Sequence, residues 1–202
     1  DCSGYWKTAS GDYYTGYTAS IRPPKNVAAS NNLYQNKVIV SWESNTDIPA
    51  ANHGYIIYRD NVEIGRVYDG VYKFIDTGLN PGNTYTYTVR TYTTSWGGQT
   101  SSGVNAPGST FGFGLTASLN QNRKIVLNWN NVSGLKGSSD GSVSKFKIDR
   151  LDNGTITTLP YDIDPTTTNF SDESASLIPG YEYGYILRPY PLEQFKPDTT
   201  YG

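Results

Sequence analysis

Twice in this chain a leucine is followed by Pro-Gly two positions on and by a tyrosine six positions on. The copies are Leu79, Pro81, Gly82, Tyr85 and Leu177, Pro179, Gly180, Tyr183. Proline presets φ and glycine accepts positive φ, so each pair bends the backbone sharply. The leucine before the bend suits a core position. The tyrosine beyond it begins a run, "YTYTVRTY", in which Tyr85, Tyr87 and Val89 alternate with Thr86, Thr88 and Arg90. Period two is the signature of a strand with one buried face. A tyrosine at that place buries its ring and returns its hydroxyl to the turn backbone.

The rest of the chain repeats around these bends. "KVIVSWES" puts Val38, Val40 and Trp42 on one face of a strand, and "KIVLNWNN" repeats it around Trp129. "GYIIYRDNVEIGRVY" reads as a hairpin turning at Asp60-Asn61, and "KFKIDRLDNGTITTL" as one turning at Asp152-Asn153-Gly154. "YKFIDT" is a further short strand, and "TSSGVNAPG" a last strand before a break at Pro107-Gly108. Trp42 and Trp129 are 87 positions apart (129 − 42), and Leu79 and Leu177 are 98 apart (177 − 79). The second copy therefore carries 11 extra residues (98 − 87), partly in the Gly/Ser loop Val132–Ser144. An unequal loop insertion is what two domains of one fold show. Nothing reads as a helix of two turns or more.

These features resemble the fibronectin type III family. The resemblance rests on the Pro23-Pro24 start, the strand tryptophans Trp42 and Trp129, the aromatic strand Tyr55–Tyr58 with Phe146 in the second copy, and the two leucine–Pro-Gly–tyrosine bends. It implies an all-β chain of two immunoglobulin-like antiparallel sandwiches in tandem behind an N-terminal extended arm. The expected boundaries are 1–21 for the arm, 22–108 for the first domain and 109–202 for the second. The final strand of the second copy is the weak point, since Pro197 falls inside "EQFKPDTTYG" and proline donates nothing to a ladder. That segment is an edge strand, a distorted strand or no strand.

Chemistry-bearing residues are sparse. His53, the one histidine, reads as a solvated loop residue in "ANHGY". Asp162, Asp164, Asp172 and Glu173 are the nearest approach to a calcium site, but they read better as solvated turn acids, because calcium needs six or more oxygens. Cys2, alone, makes no internal disulfide. The three sequons, at Asn131, Asn153 and Asn169, are as many as chance supplies. No cofactor, metal or catalytic residue is expected, and no enzyme activity.

Charged residues make up 17% with net charge −2, which leaves no basic surface for a nucleic acid backbone. No apolar run reaches the roughly 18 residues of a membrane helix. Met is absent even at position 1, which is expected of a processed or excised chain. The reading is an extracellular or cell-surface structural and adhesive protein, a self-assembling filament subunit whose arm adds a strand to a neighbour. Its partners are proteins, copies of itself first, and then glycans. Contact residues are expected at Trp6, Tyr13, Tyr14 and Tyr17 in the arm and at Trp96 in the loop "TTSWGGQT". The alternative is a spacer or carbohydrate-binding accessory module of a secreted polysaccharide-active enzyme.

Overall fold

The computed structural model describes residues 4–7, 13–16, 21–45, 53–93, 98–119, 122–137 and 139–201, the first two as backbone. Every regular element in them is a strand. The arm holds β1 (Gly4–Lys7) and β2 (Tyr13–Gly16). Seven strands follow: β3 (Lys25–Ala29), β4 (Lys37–Glu43), β5 (His53–Arg59), β6 (Val62–Tyr68), β7 (Lys73–Thr77), β8 (Thr84–Thr93) and β9 (Val104–Ser109). They form sheets ordered β3-β4-β7 and β6-β5-β8-β9. Seven more complete the chain: β10 (Thr116–Ala117), β11 (Ile125–Asn128), β12 (Lys145–Asp152), β13 (Thr155–Thr158), β14 (Asn169–Asp172), β15 (Gly184–Tyr190) and β16 (Asp198–Tyr201). Their sheets, β10-β11-β14 and β13-β12-β15-β16, repeat the same three-plus-four order.

The chain divides into two compact units. One comprises the described residues up to Ala28 with Val40–Phe74 and Thr86–Ala106. The other comprises Ala29–Ile39, Ile75–Tyr85 and the described residues from Pro107 onward.

Both hairpins turn as their residues demand. Asp60 and Asn61 have φ of 48° and 69°, and Asn153 and Gly154 have 44° and 84°. Two successive positive φ values define the turn whose twist matches its flanking strands. In β4 the even positions Val38, Val40 and Trp42 are buried, as the alternation requires. In β8, Tyr87 and Val89 are fully buried. The core of the second unit is built from Phe113, Leu127, Trp129, Phe146, Ile148 and Leu187 with their neighbours. Phe146 meets Phe113 and Trp129 edge-on at 5.8 and 5.7 Å.

Two expectations change here. The Pro107-Gly108 break lies inside β9, which is an edge strand and so needs no donor on its outer side. The Gly/Ser loop Val132–Ser144 is not a plain solvent loop. Val132, Leu135 and Val143 enter the core, because three apolar side chains set among small residues gain more from burial than from exposure.

The bends behave as clamps. Gly82 and Gly180 sit at φ of 75° and 83°, which a residue with Cβ rarely adopts. Leu79 and Leu177 are buried beside them. In the second copy the Ile178 N–H donates to Tyr183 Oη at 2.9 Å, and Tyr183 donates to the Ser176 carbonyl at 3.4 Å. In the first copy Tyr85 is half-buried, and Thr110 braces the bend. The Thr110 hydroxyl donates to Asn80 O at 2.6 Å and accepts from Asn83 N–H at 3.1 Å. Gly112 approaches the same bend so closely that a Cβ there would stand 2.9 Å from Gly82 Cα.

One buried ion pair lies in the second unit. Arg150 and Asp172 are 8% and 4% exposed and meet at 3.0 Å. Asp172 also accepts from Tyr185 Oη at 3.0 Å and from Ser174 N–H at 3.1 Å. This corrects the expectation of a solvated turn acid. Burial pushes the Asp172 carboxyl up, but the Ser174 hydroxyl and amide, Arg150 and Tyr185 together hold it below the usual carboxylate range. Burial first, and then the Asp172 charge, push the Tyr185 phenol up.

Two outcomes follow from these contacts. Tyr183→Phe leaves the Ile178 amide without its acceptor and is expected to cost about 1–3 kcal/mol, read as a lower urea midpoint. Asp172→Asn strands Arg150 and is expected to cost about 3–5 kcal/mol at neutral pH. Because the folded carboxyl titrates below its unfolded value of about 3.9, its contribution is intact above about pH 4 and is lost as pH falls through the lower folded value. Melting temperatures measured down that range are therefore expected to fall less steeply for Asp172→Asn than for the native chain.

Candidate interaction surface

The structure distributes the expected contact residues unevenly. Trp6 lies in β1, and Tyr13 and Tyr14 in β2; Tyr17 and Trp96 lie outside the described residues. β1 and β2 pair antiparallel with Trp6 opposite Tyr14 and Lys7 opposite Tyr13. The arm thus contains a hairpin of its own, with its Tyr/Thr-rich strand matched internally.

His53 is not a solvated loop residue. It opens β5, is 4% exposed, and holds Nε2 3.0 Å from Asp69 Oδ1. The β5–β6 register that sets Gly54 opposite Tyr68 brings the next pair outward, 53 and 69, together. Tyr72 donates its hydroxyl to the same carboxylate at 2.9 Å. The pair closes the end of the hairpin.

Asp162 and Asp164 are exposed. Lys145 first, and then Lys147, at 2.9 and 3.0 Å, hold the Asp162 carboxyl below its ordinary value. The Thr166 hydroxyl and amide do the same for Asp164. Among the described residues no three His, Cys, Asp or Glu side chains gather as a metal site would need.

A surface that the sequence reading did not single out forms on the outer face of β6-β5-β8. Along β8, Tyr87, Val89, Thr91 and Thr93 turn inward and are buried, so Thr88, Arg90 and Tyr92 turn outward. Registers on both sides set three rows: Tyr92–Gly54–Tyr68, Arg90–Ile56–Arg66 and Thr88–Tyr58–Glu63. A bulge between Ile57 and Tyr58 brings Glu63 into the third row.

Glycine is required in the first row. A Cβ on Gly54 would stand 2.8 Å from Tyr92 Cε1 and 2.9 Å from its hydroxyl, because the Tyr92 ring lies over that backbone. The Arg66 guanidinium stands 5.6 Å from the Tyr92 ring, and Arg90 stands 5.6 Å from the Tyr58 ring. Such stacking contributes about 0.5–1 kcal/mol at exposed sites. Ile56 points outward yet is only 2% exposed.

The two arginines differ in charge balance. Arg66 makes a two-point pair with Glu63 at 2.7 and 3.0 Å, which holds the Glu63 carboxyl below its ordinary value. Among the described residues Arg90 has a tyrosine partner and no carboxylate. On the corresponding sheet of the second copy each of these cations has a carboxylate beside it: Lys145 and Lys147 share Asp162, and Arg188 meets Asp149. The period-two alternation of β8 was readable in advance. The registers that gather Tyr58, Arg66 and Tyr92 around Arg90 were not.

Comparison with known proteins bears on the fold. No curated protein sequence matches the chain. Solved structures similar to it include a two fibronectin type III domain segment from chicken tenascin, 16% identical, covering 89% of this chain and 98% of that one with a TM-score of 0.39. The central fibronectin III array of RIM-binding protein is 20% identical, covers 88% and 63%, and has a TM-score of 0.39. The chicken CNTN1 FN1–FN3 domains are 13% identical, cover 98% and 73%, and have a TM-score of 0.38. Residues 22–107 match the family model of the fibronectin type III domain. The chain thus carries a fibronectin type III domain in that span, and a second sandwich of the same strand order runs from Thr116 to Tyr201.

Proposed function

We propose that the chain is a non-catalytic structural and adhesive protein of the extracellular space or cell surface, built from an arm (1–21) and domains at 22–108 and 109–202. In this reading it assembles with copies of itself by strand addition. The observation that carries it is the state of the last sheet edge. β16 begins directly after Pro197 and covers β15 only from Gly184 to Leu187, while β15 continues to Tyr190. The segment is thus the edge strand that Pro197 permits, four residues long, with no strand paired to its outer side among the described residues. A neighbour's β1–β2 hairpin, which has a free edge of its own among the described residues, extends that sheet by main-chain hydrogen bonds. Repeated head to tail, the contact gives a filament.

The second reading, an accessory module that binds carbohydrate beside a polysaccharide-active enzyme, is favoured by the Arg–Tyr face. The two readings differ in whether the chain assembles without glycan.

Sedimentation velocity and electron microscopy of the full chain and of a chain lacking residues 1–21 test the first reading. Polymers from the full chain and monomers from the truncated one are expected. Identical assembly of the two, or monomers throughout, overturns it.

A further inference from the structure

We propose that the outer face of β6-β5-β8 binds an acidic polysaccharide, with the Arg90 guanidinium receiving a uronate carboxylate and the Tyr58 and Tyr92 rings receiving sugar faces. The inference rests on the adhesive reading, for which it supplies a ligand.

Three features select this ligand class. The first is charge. Arg66 faces Arg90 across the sheet and is neutralised by Glu63 of the next row, so among the described residues the middle row retains the charge of Arg90. A guanidinium binds a carboxylate through two parallel hydrogen bonds, and stacking on Tyr58 orients its plane beforehand.

The second feature is shape. Tyr58 and Tyr92 stand two rows apart, which is about 13 Å along the strands, with the arginines between them. That spacing suits an extended chain of rings whose charged groups fall between stacked faces. The Tyr92 ring is held over the Gly54 backbone, and its neighbour Tyr68 is 76% exposed. Rigid aromatic platforms cost little entropy on binding.

The third feature sets other partners aside. A protein interface needs an apolar centre, and the central Ile56 of this face is 2% exposed. A nucleic acid needs many cations, and the whole chain has net charge −2.

The test uses the full chain with oligogalacturonate, its methyl ester and polyglutamate, read by titration calorimetry. Binding of oligogalacturonate that weakens with added salt is expected, with no binding of the uncharged ester. Arg90→Gln is expected to weaken that binding about tenfold or more, since a charge-assisted hydrogen bond is lost. Tyr58→Ala is expected to weaken it as well, while Lys145→Gln on the second copy leaves it unchanged. Unaltered circular dichroism shows that each variant folds. Equal affinity in Arg90→Gln, equal binding of the ester, or binding of polyglutamate alone overturns the proposal. So does no binding at all, and if polymers still form then, the assembly reading survives it. Glycan binding by a chain that stays monomeric overturns assembly and leaves this face intact.

Discussion

A sharp bend between two sheets breaks the ladder and leaves backbone groups in need of partners, and Tyr183 answers that need with one oxygen. Its hydroxyl takes the Ile178 amide and reaches back to the Ser176 carbonyl, while its ring is 2% exposed in the core. Leu177 anchors the chain just before the bend, and Gly180 supplies the positive φ inside it. Remove any one of these and the strand that follows has no fixed starting point. That strand, β15, pairs with both β12 and β16, so four-stranded order in the second copy is set at the bend. In the first copy Leu79 and Gly82 hold the same places, and the Thr110 hydroxyl partners the backbone of Asn80 and Asn83.

Polar groups inside these sandwiches are retained where geometry gives them several partners. Asp172 has Arg150, Tyr185 and Ser174, so its charge survives burial. His53 has Asp69, which also takes the Tyr72 hydroxyl. Both sites carry groups that serve elsewhere in catalysis. Here they are turned toward internal partners and hold loops to strands. The surface is organised differently. The partner of Arg90 is the Tyr58 ring, which orients the cation without cancelling its charge. Orientation without an adjacent carboxylate is what makes this place a candidate contact, whereas Lys145 and Lys147 of the second copy share the Asp162 carboxylate.

Much of the architecture was legible because its signals are local. Alternation placed Val38, Val40 and Trp42 inside, and Asp-Asn and Asn-Gly placed both hairpin turns. Pro-Gly placed both bends. The misreadings share one cause. The local sequence around His53 and Asp172 reads as solvated because polar residues in short loops usually are, and burial of such groups depends on partners far along the chain. Asp172 meets Arg150 across 22 positions, and His53 meets Asp69 across 16 (69 − 53). Leu135 was assigned to a loop because its neighbours are Gly, Ser and Lys. The core accepted it because Val132 and Val143 flank the same opening.

The sequence by itself determined the places where the chain bends and which face of its alternating strands is apolar, because period and turn chemistry act between neighbours. Tertiary structure alone decided which outward residues stand side by side. Arg90 and Tyr58 are 32 positions apart (90 − 58), and only the β5–β8 register brings guanidinium to ring. Register depends on how whole strands share one core, and a shift by a single residue would turn Arg90 inward and disperse the face.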